Sequence, residues 1–249
     1  MNRAVMILGV VLAVAGMSSA ATLVIDNFEQ GLAGPAGLAG AGISVNDPPG
    51  PPSPLVVTVT ESGLSPTNVI GGVRRTTMID LIENSQTVSA NLYDPPGLPA
   101  DNHLSLSANT GAQGQWLLEY GKAAGSTSYP FDLTAAGGAD AIVFTFETGD
   151  HSASVDMWAS DGTNSAGPVN KPTPGGNSTL TFLFSEFPGV DFSSIEDLSF
   201  RINGVLEGDY SISLLETRYH DDQVPEPVTM AALMMSIGGL GGYIRRRRR

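Results

Sequence analysis

The sequence predicts an all-β protein, a single jelly-roll-like β-sandwich carried between two apolar ends. Two observations point there. Apolar residues recur at every second position in short runs, and turns rich in Gly and Pro separate the runs. The body between the ends also lacks any run with the 3.6-residue period of an amphipathic helix. A third observation sets how such a fold must hold together. There is no cysteine, so a body of about 200 residues relies on its own core and not on disulfides.

Taken in order, the chain opens with Arg3, the apolar segment Ala4 to Met17, and Ser18-Ser19-Ala20. A positive start, an apolar stretch and small residues predict a secretory signal helix over residues 1–20, removed by signal peptidase after Ala20 or Ala21. The β-domain is expected over 21–222. A first strand begins at Thr22. Residues 31–54, rich in Gly, Ala and Pro, read as a long irregular loop. Period-two patterning starts at Leu55, with Val57 and Val59 on one face and Thr58 and Thr60 on the other. Further segments are Val69 to Arg75, Thr77 to Ile82, Val88 to Leu92, Leu104 to Ala108 and Gln115 to Tyr120. Gly71-Gly72 marks a bulge or a close backbone approach.

The clearest strands follow. Ile142, Phe144 and Phe146 share a face in Ala141 to Thr148. In Ser154 to Ser160, Val155, Met157 and Ala159 point one way, Asp156 and Trp158 the other. Residues 161–178 read as a second loop. Leu180, Phe182 and Phe184, then Leu198, Phe200 and Ile202, then Tyr210, Ile212 and Leu214 complete eight to eleven strands, a number that suits a jelly roll.

Residues 223–249 form a separate tail. Pro225-Glu226-Pro227 bars a helix from extending upstream. Residues 228–244 are uncharged and predict a transmembrane helix roughly 25 Å long, near the lower limit for a bilayer core of about 30 Å. Arg245, Arg246, Arg247, Arg248 and Arg249 would stay on the cytoplasmic side. This order of parts resembles the PEP-CTERM sorting signal of Gram-negative bacteria, with Pro225, Glu226 and Pro227 as the sorting motif. The resemblance implies an exosortase-like processing protease as partner, transient residence in the inner membrane, and a final place at the cell surface or outside the cell. A plain C-terminal anchor with a positive-inside flank reads the same residues without processing.

Charge narrows the function classes. Without Arg3, the terminal arginines and Glu226, the body holds six basic and 24 acidic residues, a net charge of −18. Nucleic acid and anionic membrane surfaces are therefore excluded as partners. Thiolate metal sites and cysteine nucleophiles are excluded by composition. His103, His151 and His220 lack metal-ligand spacing, and no nucleophile elbow or phosphate loop occurs.

The opening Ile25-Asp26-Asn27-Phe28-Glu29, the segment Phe184 to Phe187, the run Asp191 to Phe200 and the closing strand 210–216 are similar to galactose-binding-like jelly rolls, which include carbohydrate-binding modules. That resemblance implies a structural calcium tying the first and last strands, with Asp26, Glu29 and Glu216 as the matching acids. No other cofactor is indicated. Asp156 and Trp158, sharing the polar side of one strand, suit a sugar-binding face, in which a ring stacks on sugar C–H groups and an acid bonds hydroxyls. The same pattern also suits a covered face of the sandwich. Trp116 shares its face with Leu118 and reads as core.

Three functions fit: a structural or adhesive surface protein, a module that binds extracellular polysaccharide, or a secreted glycan-active enzyme. A groove with an exposed Trp158 favours the second. Two facing carboxylates on a pocket floor favour the third. A flat polar surface favours the first.

Overall fold

The computed structural model describes residues 22–31, 42–46, 54–83, 86–93, 103–173 and 175–220. The signal segment 1–20, the sorting tail 223–249 and most of the loop 31–54 lie outside the described residues. Among the described residues no helix is long and apolar enough to cross a membrane.

Among the described residues, thirteen strands form two antiparallel sheets. The first contains β1 (Val24–Asp26), β2 (Gly42–Asn46), β5 (Thr87–Tyr93), β6 (His103–Ala108), β8 (Ala141–Gly149), β11 (Ser178–Leu183) and β13 (Asp209–Arg218). Its order is β11-β8-β13-β6-β5-β2, with β1 also paired to β13. The second contains β3 (Leu55–Ser62), β4 (Val73–Asp80), β7 (Gln113–Gly121), β9 (Ser154–Ser160), β10 (Ser165–Pro172) and β12 (Asp197–Leu206), in the order β10-β9-β12-β7-β4-β3.

The period-two signal becomes a sandwich because each sheet turns one row of side chains inward. From β8 and β11 come Phe144 and Phe182, and from β12 comes Phe200, all fully buried. Phe144 meets Phe200 across the gap edge-on, with centroids 4.6 Å apart and planes at 80°. Burial of each such ring stabilises the fold by about 1.5–3 kcal/mol relative to exposure. Trp116 from β7 crosses the core, sets its ring edge to Tyr210 at 6.0 Å, and donates its Nε1–H to the Ser89 carbonyl at 3.0 Å. It is core, as the sequence predicts.

Four details differ from the sequence reading. The described residues form thirteen strands instead of eight to eleven, two of them in stretches read as loops. The expected break between Arg75 and Thr77 is absent, because β4 runs without interruption from Val73 to Asp80. Before it, Gly71 and Gly72 form a short 3₁₀ turn at φ 68° and 65° instead of a bulge. Close approach is the reason for glycine there: a Cβ on Gly71 would stand 2.8 Å from the Phe131 ring. Finally, both stretches read as loops contain a strand, β2 in the first and β10 in the second. Strand β10 lies at a sheet edge and carries Gly167, Pro168 and Pro172, residues that erase the strand signal but are tolerated at an edge.

Candidate functional site

The outer face of the six-stranded sheet is built by the register of its strands. Thr77 on β4 pairs with Leu117 on β7, which faces Arg201 on β12, which faces Asp156 on β9, which faces Asn170 on β10. The adjoining row runs Arg75, Glu119, Ser199, Trp158. On the other side lie Ile79, Gln115, Asn203 and Ser154. On β4, β7, β9 and β12 these residues alternate with buried ones.

Asp156 is the hub. Its Oδ1 accepts from Asn170 Nδ2 at 2.5 Å. Its Oδ2 accepts from Arg201 Nη2 at 2.6 Å and Nε at 3.1 Å, and from Asn203 Nδ2 at 3.0 Å. Asn203 in turn bonds Ser154 Oγ at 3.2 Å and receives Gln115 Nε2 at 2.9 Å. Burial by itself would push the Asp156 carboxyl up, but the hydrogen bonds from Asn170, Asn203 and Arg201 hold it below the usual carboxylate range. Two strands away, Arg75 forks onto both oxygens of Glu119 at 2.5 Å, and that hydrogen bonding holds the guanidinium above its ordinary pKa.

Trp158 stands in the middle of this network, half-buried. The Arg201 guanidinium lies over its ring at 5.0 Å from the centroid. Asp156 therefore holds Arg201, and Arg201 holds the ring. Strand β10 bulges between Ala166 and Val169, around the cis Gly167–Pro168 bond, and brings Gly167 against the tryptophan. A Cβ there would stand 2.9 Å from Trp158 Cα and 3.0 Å from Cδ1. Two hollows open beside the ring, and Trp158 lines both. The larger, about 310 Å³, has Ile79 and Leu117 beneath it and Gln115, Glu119 and Arg201 around it, and its surface is mostly apolar. The smaller, about 190 Å³, is lined by Ser160, Ser165, Ala166, Asp197 and Ser199.

The sequence placed Asp156 and Trp158 on one face, and the structure puts them there. It did not single out Arg201, Asn203, Gln115, Leu117, Ile79 or Asn170. In the sequence Ser199, Arg201 and Asn203 alternate with Leu198, Phe200 and Ile202, but only strand order brings them beside Trp158.

Asp26, Glu29 and Glu216 stand differently. Asp26 is fully buried. Its Oδ2 receives Arg74 Nη1 at 2.7 Å and the Tyr120 hydroxyl at 2.8 Å, and its Oδ1 receives the Phe28 amide at 2.8 Å. Arg74 also forks onto Glu61 at 2.8 and 3.1 Å and reaches the Gln30 carbonyl at 2.8 Å. Burial pushes the Asp26 carboxyl up against the pull of Arg74, and it drives the Tyr120 hydroxyl far up. Glu216 pairs with Arg218. Among the described residues no group of three or more His, Asp or Glu side chains is arranged to hold a metal ion, so the three acids are not brought together as a cluster. The same holds for the histidines: His103 lies near Glu147 and His151 near Asp150. The opening Asp26-Asn27-Phe28 segment acts as a bracket, with Phe28 at φ 55° sealed beneath the Arg74 guanidinium. The sorting residues Pro225, Glu226 and Pro227 and the arginines 245–249 lie outside the described residues.

No family model and no curated protein matches the chain. Solved structures do. The chain is similar to the family 11 carbohydrate-binding module of the cellulosomal cellulase Lic26A-Cel5E of Clostridium thermocellum, at 14% identity, over 82% of this chain and 97% of that one, with a TM-score of 0.38. It is similar to the family 30 module of cellulase Cel9D-Cel44B from the same organism, at 14% identity over 72% and 99%, with a TM-score of 0.37. A family 29 module from Piromyces equi gives 15% identity over 70% and 97%, with a TM-score of 0.32. Similarity at this level says nothing about what this chain binds.

Proposed function

We propose that this chain is an exported, non-enzymatic protein whose six-stranded sheet holds an extracellular polysaccharide. Its tail sorts it through the inner membrane to the cell surface or the medium, with signal peptidase and an exosortase-like protease as processing partners. One observation carries the binding reading: Trp158, partly buried, opens onto a groove whose floor is Leu117 and Ile79 and whose rim is amides, hydroxyls and paired charges. An apolar floor suits the C–H face of a sugar ring, and a rim of fixed donors and acceptors suits its hydroxyls. Glu119, which lines the apolar hollow, and Asp156, which holds Arg201, are both committed to arginines, which supports binding without hydrolysis. A pair of glycosidase acids would need one carboxyl free to donate a proton and another free to attack or activate water.

Native gel electrophoresis of the full-length chain in gels containing soluble polysaccharides tests the binding. Retardation by at least one polysaccharide, lost in Trp158→Ala, is expected. Equal mobility in every gel would overturn the reading. For the sorting, the intact mass of the protein recovered from its host is expected to lack Arg245 to Arg249. A mass retaining Arg249 would leave a plain membrane anchor.

A further inference from the structure

The two hollows beside Trp158 share that ring and Ser199 and differ in chemistry. The larger is floored by Leu117 and Ile79. The smaller, set in the bend between β9 and β10, has hydroxyls on both strands, with Ser165 Oγ donating to Ser160 Oγ at 2.9 Å, and the Asp197 carboxylate at its far wall. Asp197 is fixed by accepting the Ala123 amide through Oδ1. A ring shared by an apolar cup and a hydroxyl-bearing cup fits a repeating ligand, one unit in each.

The charges say which kind. The described residues contain six cationic Lys and Arg side chains, and every one is ion-paired: Arg74, Arg75, Lys122, Lys171, Arg201 and Arg218. The body as a whole carries −18. An acidic glycan needs a cation that is free to meet its carboxylates or sulfates, and it must approach through a repulsive field. From these observations, and resting on the polysaccharide reading above, we infer that the face takes a neutral glycan of at least two sugar units laid across Trp158, with the β9–β10 hollow as a second, hydroxyl-reading subsite.

The test has two stages. Full-length chain, kept in mild detergent for its apolar tail, is first run against neutral polysaccharides (a glucan, a galactan, a xylan) and acidic ones (alginate, polygalacturonate). Retardation by a neutral polymer that does not weaken between 50 and 500 mM NaCl is expected. Retardation only by an acidic polymer, fading with salt, would overturn the inference and leave the polysaccharide reading standing. Mobility unchanged by all five would overturn both. Next, calorimetry compares the monosaccharide with the di- and trisaccharide of the retarding polymer. The disaccharide is expected to bind at least tenfold more tightly than the monosaccharide. Ser165→Phe, at an exposed position, fills the smaller hollow and should erase that gain while monosaccharide affinity stays within twofold. A gain that survives Ser165→Phe, with binding still lost in Trp158→Ala, would refute the second subsite alone.

Discussion

Arg74 and Arg201 each set Nε and Nη2 on a single carboxylate oxygen, Glu61 Oε2 and Asp156 Oδ2, yet they stand in opposite settings. The Arg74 side chain is wholly buried, with Asp26, Tyr120 and Phe28 around it. The Arg201 side chain keeps 38% of its surface and presents it to a groove. The Asp26 carboxylate beside Arg74 and the Asp156 carboxylate beside Arg201 shift in opposite directions. Desolvation wins at Asp26 and pushes it up, whereas hydrogen bonds win at Asp156 and hold it down. The same chemistry is a bracket where water is absent and a scaffold for a working surface where water remains.

The largest way to break this comparison is at Arg74. Arg74→Met leaves Asp26 and Glu61 buried without their cation, and breaking such a pair costs about 3–5 kcal/mol. Urea unfolding should show that loss, with sugar binding unchanged at temperatures where the variant stays folded. At the open face the order reverses. Trp158→Ala should weaken binding at least tenfold, about 1.4 kcal/mol, and shift the urea midpoint less than Arg74→Met does, because the ring lies on the outer face of the sheet and not in the core. Calorimetry and urea titration of one sample separate the two effects.

The pH responses should also have opposite signs. The folded pKa of Asp26 is raised, so its contribution is fully present below the ordinary value of 3.8 and is lost as pH rises through the folded value. The folded pKa of Asp156 is lowered, so its contribution is present above 3.8 and is lost as pH falls through the folded value. Urea midpoints from pH 2 to 7 should therefore lose part of their acid limb in Asp156→Asn. In Asp26→Asn the part of the profile that declines above 3.8 should flatten. The smallest effect is on stability at Arg201. Arg201→Ala should cost about 1 kcal/mol, because the arginine side of the pair is open to water and Asp156 keeps its bonds from Asn170 and Asn203, while releasing the Trp158 ring and weakening binding several-fold.

Much of this was readable before the fold was known. The alternation in 141–148, 154–160 and 198–203 marks core-facing Phe144, Val155 and Phe200 and leaves Asp156 and Trp158 together, because a pleated strand turns successive side chains to opposite faces. Strand β10 was hidden. Gly167, Pro168 and Pro172 carry loop chemistry, and an edge strand exposed along much of its length shows little apolar alternation. Arg74 was hidden for another reason. It sits beside Arg75 in sequence, and nothing local says which of two adjacent arginines turns inward to meet Asp26, which lies 48 residues away.

By itself, then, the sequence determined the fold class, the core rows and the side of β9 that carries Trp158, since these depend on neighbours one or two residues apart. It also set the charge balance, which is a matter of counting. Tertiary structure alone decided that β12 lies between β7 and β9, so that Arg201 covers Trp158 and Gln115 reaches Asn203 across strands. It also decided that Asp26 closes a buried bracket. Those contacts join residues separated by 43 to 88 positions, and which distant strands become neighbours is settled by packing of the whole sandwich and not by any local pattern.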